Sequence, residues 1–330
     1  MGRGENFWTD PTAEPYTHLE FGDDRGEFRF AVISDNAGGA RAGVFAKAVD
    51  MVNLLHADFV VSVGDFIEGY NDDEDQIRAW WQEIDEALDG LDAPFFFVPG
   101  NHDYYSDASV RVWGERFGDD RGYSHFVYDD VLFLLINTQD PPLSIAEIQR
   151  DDPEAAQRLL ANMTDLGRRQ AEGGLTLDDA RTVDELAEHA GVIKISDEQV
   201  EYFRQVVDDN RDARWAFCLT HAPPYYSPIS DGKDPGRFAQ IEAVLGDIPY
   251  TVLSGHTHVY NYEQRNGQDF VTTATSGGIS FERPGAMDHI VWITMTREGP
   301  KIANLLMNGV MDKAGPPTGN VLHTGALYRP

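Results

Sequence analysis

Five short apolar runs in this chain end in polar clusters, and that recurrence constrains the fold more than any other feature. Residues 28–34 (FRFAVIS) lead into Asp35, 59–63 (FVVSV) into Gly64-Asp65, and 94–99 (PFFFVP) into Gly100-Asn101-His102-Asp103. Residues 214–220 (RWAFCLT) lead into His221, and 250–254 (YTVLS) into Gly255-His256-Thr257-His258. Apolar runs of this length, alternating with amphipathic stretches at 44–55 and 74–88, predict an α/β fold of βαβ units with a buried sheet. Ligands in open α/β sheets bind beyond the carboxyl ends of the strands, so the five clusters are expected to converge on one crevice.

Local signals place the remaining elements. SHFVYD and VLFLLIN read as strands joined by a turn at Asp129-Asp130, and Ser196 is the expected N-cap of a helix within SDEQVEYFRQVVDDN, 196–210. Two further β pairs turn at Asn266-Gly267 and at Glu298-Gly299. Between about 140 and 194 the charge rises and β-branched runs vanish, which predicts a helical insertion acting as a lid or, through Leu159, Leu160 and Met163, as an oligomer interface. The organisation expected is an N-terminal extension over 1–27, one domain over 28–312 containing that insertion, and an irregular tail over 313–330.

The donors in the clusters are carboxylate, amide and imidazole, a set suited to Mn, Fe or Zn. Cys218 is the only cysteine of the chain, which excludes a thiolate cage. The number of donors suits two ions, and Asp65 is the best bridge between ions ~3.5–4 Å apart. In GHTH, two histidines at i and i+2 of an extended chain would face the same way.

In this order and at these strand ends, GD, GNHD, H and GHTH resemble the motifs of the calcineurin-like metallophosphoesterases, over residues 28–310 apart from the insertion. The resemblance implies a four-layer α/β/β/α sandwich with a dimetal site at the sheet ends. It also implies phosphoester hydrolysis in which a hydroxide bridging the two ions attacks phosphorus in line. Carried over by motif, Asp35, Asp65 and His258 bind the first ion, and Asp65, Asn101, His221 and His256 the second. The resemblance gives His102 a catalytic role at the scissile phosphate, stabilising charge or protonating the leaving oxygen. Asp103 would orient that imidazole by accepting its other N–H.

One motif departs from the family pattern. Where the family has Asp-x-His, this chain has Asp35-Asn36-Ala37, and alanine cannot ligate. Water or a substrate oxygen would complete a weaker first ion, or Asn36, Glu68 or Tyr70 would swing in, or only the second ion would be firmly held. The tyrosine used by purple acid phosphatases in Gly-Asp-x-x-Tyr is Glu68 here. Substrate contacts are expected from Asn36, Arg41, Tyr104 and Tyr225, with Tyr105, Tyr226 and Arg283 nearby; packing beneath the loops is the equal alternative for the tyrosines.

Charge narrows the partners. With 26 Lys+Arg against 56 Asp+Glu the formal charge is -30, which argues against general nucleic-acid or membrane-surface binding. The scarcity of lysine suggests a surface adapted to high salt, where counterions screen carboxylate repulsion within ~3 Å at 1 M. No run approaches the ~18 apolar residues of a membrane span, so a cytoplasmic protein is expected, or a periplasmic or secreted one if a signal peptide has been removed. His18, His56, His125, His189, His289 and His323 are read as structural, Trp80 and Trp81 as core or interface. The function expected is a metal-dependent phosphohydrolase acting on a small phosphorylated substrate, as a monomer or a homo-oligomer. A diesterase is favoured over a monoesterase because no arginine cluster awaits a dianion, and a catalytically silent metal- or phosphate-binding module is the alternative raised by Ala37.

Overall fold

A computed structural model describes residues 7–19, 27–142, 193–225, 237–280 and 284–307, together with 150, 153, 154, 157 and 309. Strands β2 (Phe28–Ile33), β3 (Phe59–Ser62), β4 (Phe95–Phe96), β11 (His289–Thr296) and β12 (Gly299–Leu306) form a five-stranded sheet in the order β12-β11-β2-β3-β4. A seven-stranded sheet contains β1 (Phe7–Thr9), β5 (Ser124–Tyr128), β6 (Val131–Ile136), β7 (Trp215–Thr220), β8 (Tyr250–Ser254), β9 (Asn261–Arg265) and β10 (Gln268–Thr272). Its order is β1-β5-β6-β7-β8-β10-β9. The central strands β2, β3 and β4 run parallel, as do β6, β7, β8 and β10. Strands covered on both faces need apolar residues at every position, and β3 and β6 are buried throughout.

Helices α1 (Val44–Leu55), α2 (Glu74–Leu88) and α3 (Asp107–Phe117) cover the outer face of the smaller sheet, packing Phe45, Ile77 and Trp113 over Ala31, Val60 and Phe95. Helices α4 (Asp197–Asp209) and α5 (Phe238–Leu245) cover the larger sheet through Phe203 and Phe238 against Leu134 and Cys218. Between the sheets lies an aromatic layer in which Phe59 and Phe30 stack at 5.2 Å, and Phe126 and Phe133 at 4.4 Å. The layering is therefore α/β/β/α.

Helices α1, α2 and α4 occupy the stretches expected, and Ser196 Oγ accepts from Gln199 N at 3.1 Å. Asp129-Asp130 and Asn266-Gly267 both turn through left-handed residues. The last hairpin turns one residue earlier than expected, at Arg297-Glu298, because Gly299 already pairs with Thr296. The N-terminal extension is not merely an extension: β1 adds to the sheet edge against β5. Helices α3 and α5 were not anticipated, although Ser106 and Ser109 form a capping box and Ala108, Val112, Trp113 and Phe117 keep helical spacing. Most of the 140–194 insertion and the 313–330 tail lie outside the described residues, as do Leu159, Leu160, Met163, Tyr226 and Arg283. Among the described residues no helix is long and apolar enough to cross a membrane.

Candidate metal centre

The parallel strands deliver their carboxyl ends to one edge of the sandwich, and tight turns aim the polar side chains inward. Asp35, Asp65, His256 and His258 all have φ between 52° and 73°. Left-handed backbone costs a non-glycine residue about 1 kcal/mol, a strain that surrounding structure must hold in place. The i, i+2 rationale for GHTH is thereby corrected: with both histidines left-handed the chain is not extended there, and the turn sends them to different carboxylates. At Gly64, φ is 98° and a Cβ would lie 2.7 Å from Gly100 N and 2.8 Å from His221 Nδ1, so only glycine lets the two turns and the histidine meet.

Four donor atoms then converge. Asn101 Oδ1 is 2.8 Å from both His221 Nε2 and His256 Nδ1, these nitrogens are 3.1 Å apart, and His221 Nε2 is 3.2 Å from Asp65 Oδ2. Bonds to a divalent ion of about 2.0–2.2 Å place adjacent donors about 3 Å apart, so the spacing fits a single cation. Tautomer logic points the same way. His221 Nδ1 donates to Val63 O at 2.8 Å, which leaves the Nε2 lone pair facing an amide oxygen, a carboxylate and another imidazole. Burial opposes a charge on His221, but the Asp65 carboxylate outweighs it and holds the imidazolium up to about 9, while burial and His221 push His256 down to about 3. His221 and His102 in turn keep the buried Asp65 carboxyl well below its usual range. A cluster of lone pairs that calls in a proton is a cluster suited to a cation.

The second group is Asp35, Asp65 and His258, whose donor atoms lie within 4.8 Å of one another, as do those of Asp65, His221 and His256. His258 Nε2 is 3.4 Å from Asp35 Oδ1, and its Nδ1 donates to Ile279 O at 2.6 Å. Asp65 belongs to both groups, the position of a bridging ligand. The three groups considered for the place left by Ala37 are each engaged with another partner. Asn36 Nδ2 donates to Phe66 O at 3.0 Å, Glu68 accepts from Ala40 N at 2.7 Å, and the Tyr70 hydroxyl accepts from Asn101 Nδ2 at 2.6 Å.

The family profile described as calcineurin-like phosphoesterase matches residues 28–260. The chain belongs to the calcineurin-like phosphoesterases. This phosphoesterase is a phosphoric ester hydrolase, its chemistry is metal-dependent, and its Asp and His groups suit the dimetal site that the family uses. Among solved structures it is similar to a dimetal phosphatase from Danio rerio, with 15% identity, a TM-score of 0.53, and coverage of 84% of this chain and 98% of that one. It is likewise similar to a structure of PhoD, at 13% identity and a TM-score of 0.50, covering 86% of this chain and 70% of that one. At these identities the likeness is one of fold. No curated protein sequence matches the chain.

Around the phosphoesterase ligands, several expected roles change. His102 stands beside the ligands with Nε2 4.0 Å from Asp65 Oδ2, but Asp103 does not orient it; the Glu68 carbonyl does, 2.7 Å from His102 Nδ1. Asp103 instead accepts four backbone N–H groups, from Asp65 (2.8 Å) and Gly100 (2.9 Å) on Oδ2 and from Phe66 (2.8 Å) and Ile67 (3.2 Å) on Oδ1. Burial and the neighbouring Asp65 push its pKa up to about 7, while those donors favour the carboxylate. Asp103 is thus the anchor that ties the Gly64-Asp65 turn to the Gly100-Asn101 turn.

The substrate-binding expectations for Asn36, Arg41, Tyr104 and Tyr225 are also corrected. Asn36 is turned to Phe66, Arg41 forms a bidentate pair with Asp288 and reaches Gly278 O at 2.8 Å, and Tyr104 is buried against Trp113 with its hydroxyl on Asp120 O. Tyr225 bonds Glu242, lies under Arg265 at 3.8 Å and packs on Phe270 in the outer core. Gly38 was not singled out as a wall of the site, yet a Cβ there would lie 3.4 Å from both His102 Nε2 and His258 Cε1. The orienting carbonyls of Val63, Glu68 and Ile279 leave no signal in sequence, since every residue carries one. His125 and His289 are tied into the surrounding core: the Tyr202 hydroxyl lies 2.6 Å from His125 Nδ1, and His289 Nε2 accepts from Ala274 N at 2.9 Å.

Proposed function

We propose that this phosphoesterase cleaves small-molecule phosphodiesters in preference to phosphomonoesters. The observation that carries the reading is the commitment of Arg41, the cation nearest the first motif, to Asp288 and Gly278. A dianionic monoester gains most from a free bidentate guanidinium, whereas a monoanionic diester needs less positive charge beyond that of the metals. Mn or Fe is the expected pair of ions, with Zn also compatible with these donors. Asp35, Asp65 and His258 would hold the first ion more weakly than the other group holds the second, with water or a substrate oxygen supplying the remaining donor.

Divalent cations held by the two groups supply the field that neutralises phosphoryl oxygens and activates water. The chain's own residues do the rest. Asp65 spans the two groups and fixes their separation. Val63 and Ile279 hold His221 and His258 in the tautomer that presents Nε2. His102, with Nδ1 engaged by Glu68 O, has Nε2 left to face substrate, and a proton carried there can be passed to the leaving oxygen. The gathering of six ligands and His102 at one edge supports catalysis over a silent binding module. Mn-loaded protein should hydrolyse an aryl phosphodiester with a larger kcat/KM than the matching aryl phosphomonoester. Equal or reversed ratios, or no rate above that of Asn101→Ala, would overturn the reading.

A further inference from the structure

Tyr70 is the aromatic residue that the metal-centre description leaves without a task. It follows Asp65 by five residues, is half-buried, and holds the left-handed φ of 54° that bulky side chains avoid. Strain of this kind persists where the surroundings fix it, and here they do. The ring meets the His102 imidazole edge-on at 4.7 Å and lies 5.1 Å from the ring of Tyr105, whose hydroxyl is bonded to the backbone of Asn71. The hydroxyl of Tyr70 reaches Asn101 Nδ2 at 2.6 Å.

That single bond has two consequences. Asn101 can present its carbonyl oxygen to His221 and His256 only if its amide NH₂ finds an acceptor on the other side, and Tyr70 provides it. A phenol oxygen that accepts from Asn101 must direct its own proton elsewhere, and no described residue accepts that proton. The O–H proton is therefore unclaimed among the described residues, and the ring that carries it packs edge-on against the His102 imidazole.

We propose that Tyr70 contacts substrate directly, locking the Asn101 amide with its oxygen towards the histidines while donating its hydroxyl proton to a phosphoryl oxygen. Tyr70 becomes part of the reacting constellation, and its neighbour Tyr105 is only its support. The identity of the ligand rests on the phosphohydrolase reading, so the test uses equilibrium binding and needs no turnover.

Calorimetric titration of Mn²⁺ into wild type, Tyr70→Phe and Tyr105→Phe, followed by titration of inorganic phosphate into each Mn-loaded protein, separates the roles. Tyr70→Phe is isosteric, and an unchanged melting temperature confirms that it folds. It should bind Mn²⁺ about tenfold more weakly, the scale of losing a group that orients a ligand. It should also bind phosphate about tenfold more weakly, the scale of one hydrogen bond to an anion. Tyr105→Phe should leave both affinities unchanged. Unaltered phosphate affinity in Tyr70→Phe overturns the proposal, as does an equal loss in Tyr105→Phe. A wild type that shows these binding differences but no hydrolysis would sink the phosphohydrolase reading and leave the Tyr70 contact supported.

Discussion

The two halves of the centre are built from the same materials and are unequal. Around Asn101, four donor atoms from four different turns meet with spacings of 2.8–3.2 Å. Around Asp35, three residues supply donors, the histidine sits 3.4 Å from its carboxylate, and Ala37, fully buried nearby in the sequence, has no donor to add. The fuller half is crosslinked by Asp103, which ties its two turns together through four N–H groups, whereas the sparser half leans on the Ile279 carbonyl and on Gly277-Gly278. Ligand number and loop bracing thus fall off together. The difference teaches that the donors around Asn101 are held by the fold's edge more firmly than those around Asp35.

The comparison collapses if the shared residue goes. Asp65→Ala removes a donor from both halves, so metal content should fall from two ions towards none, and kcat by about 10³-fold, the scale of losing a group that stabilises transition-state charge. Retention of one tightly bound ion, measured by elemental analysis after dialysis, would show that the halves are independent. A second contrast sets the metal-centre histidines against His289, a buried histidine held by Ala274 N and Asn304. Burial holds the His289 imidazolium down, at about 4, so the residue is neutral when folded and must stay so to accept from Ala274 N. Its unfolded pKa is about 6.5, so its contribution is present above that pH and is lost as pH falls through 6.5 towards 4, by about 3 kcal/mol in all. Urea midpoints between pH 7.5 and 4.5 should show this acid loss in wild type and less of it in His289→Asn. Parallel curves would place the loss elsewhere.

The smallest expected change sharpens the comparison rather than breaking it. Ala37→His offers the sparser half its missing imidazole, although Asp35 is left-handed and Ala37 is fully buried, so the ring must displace its neighbours. If it enters, the two Mn²⁺ affinities should move together by about tenfold, the usual scale of changing a metal environment by one interaction. Two binding phases as far apart as in wild type would mean that the loop, and not the absent side chain, sets the weaker affinity.

How far the sequence could be read depended on whether the signal was local. Helices α1, α2 and α4 were legible to the residue because periodicity and caps are written within one turn of the chain. The convergence of the polar clusters was legible because they end strands, and a glycine before Asp65, Asn101 and His256 marks a sharp turn there. Helix α3 is not among the expected elements, although its capping serines Ser106 and Ser109 are plain in the sequence. The misreading of Asp103 has a different cause: a carboxylate beside a histidine in sequence suggests a pair, but the peptide planes of Asp65, Phe66, Ile67 and Gly100 offer it four donors that no linear pattern reveals. Arg41 and Tyr225 look available until Asp288 and Glu242, 247 and 17 residues away, are seen to occupy them.

By itself, then, the sequence determined the layered α/β architecture, the order of the strands that carry the polar clusters and the carboxylate, amide and imidazole character of the donors. Those follow from side-chain chemistry and near-neighbour periodicity, which the chain carries wherever it is placed. Only the tertiary structure decided which carbonyl fixes each imidazole, which cation is already neutralised, that Asp103 is an anchor, and that Tyr70 reaches Asn101. Hydrogen bonds act over about 3 Å, and which groups come that close is settled by the packing of the two sheets and not by distance along the chain.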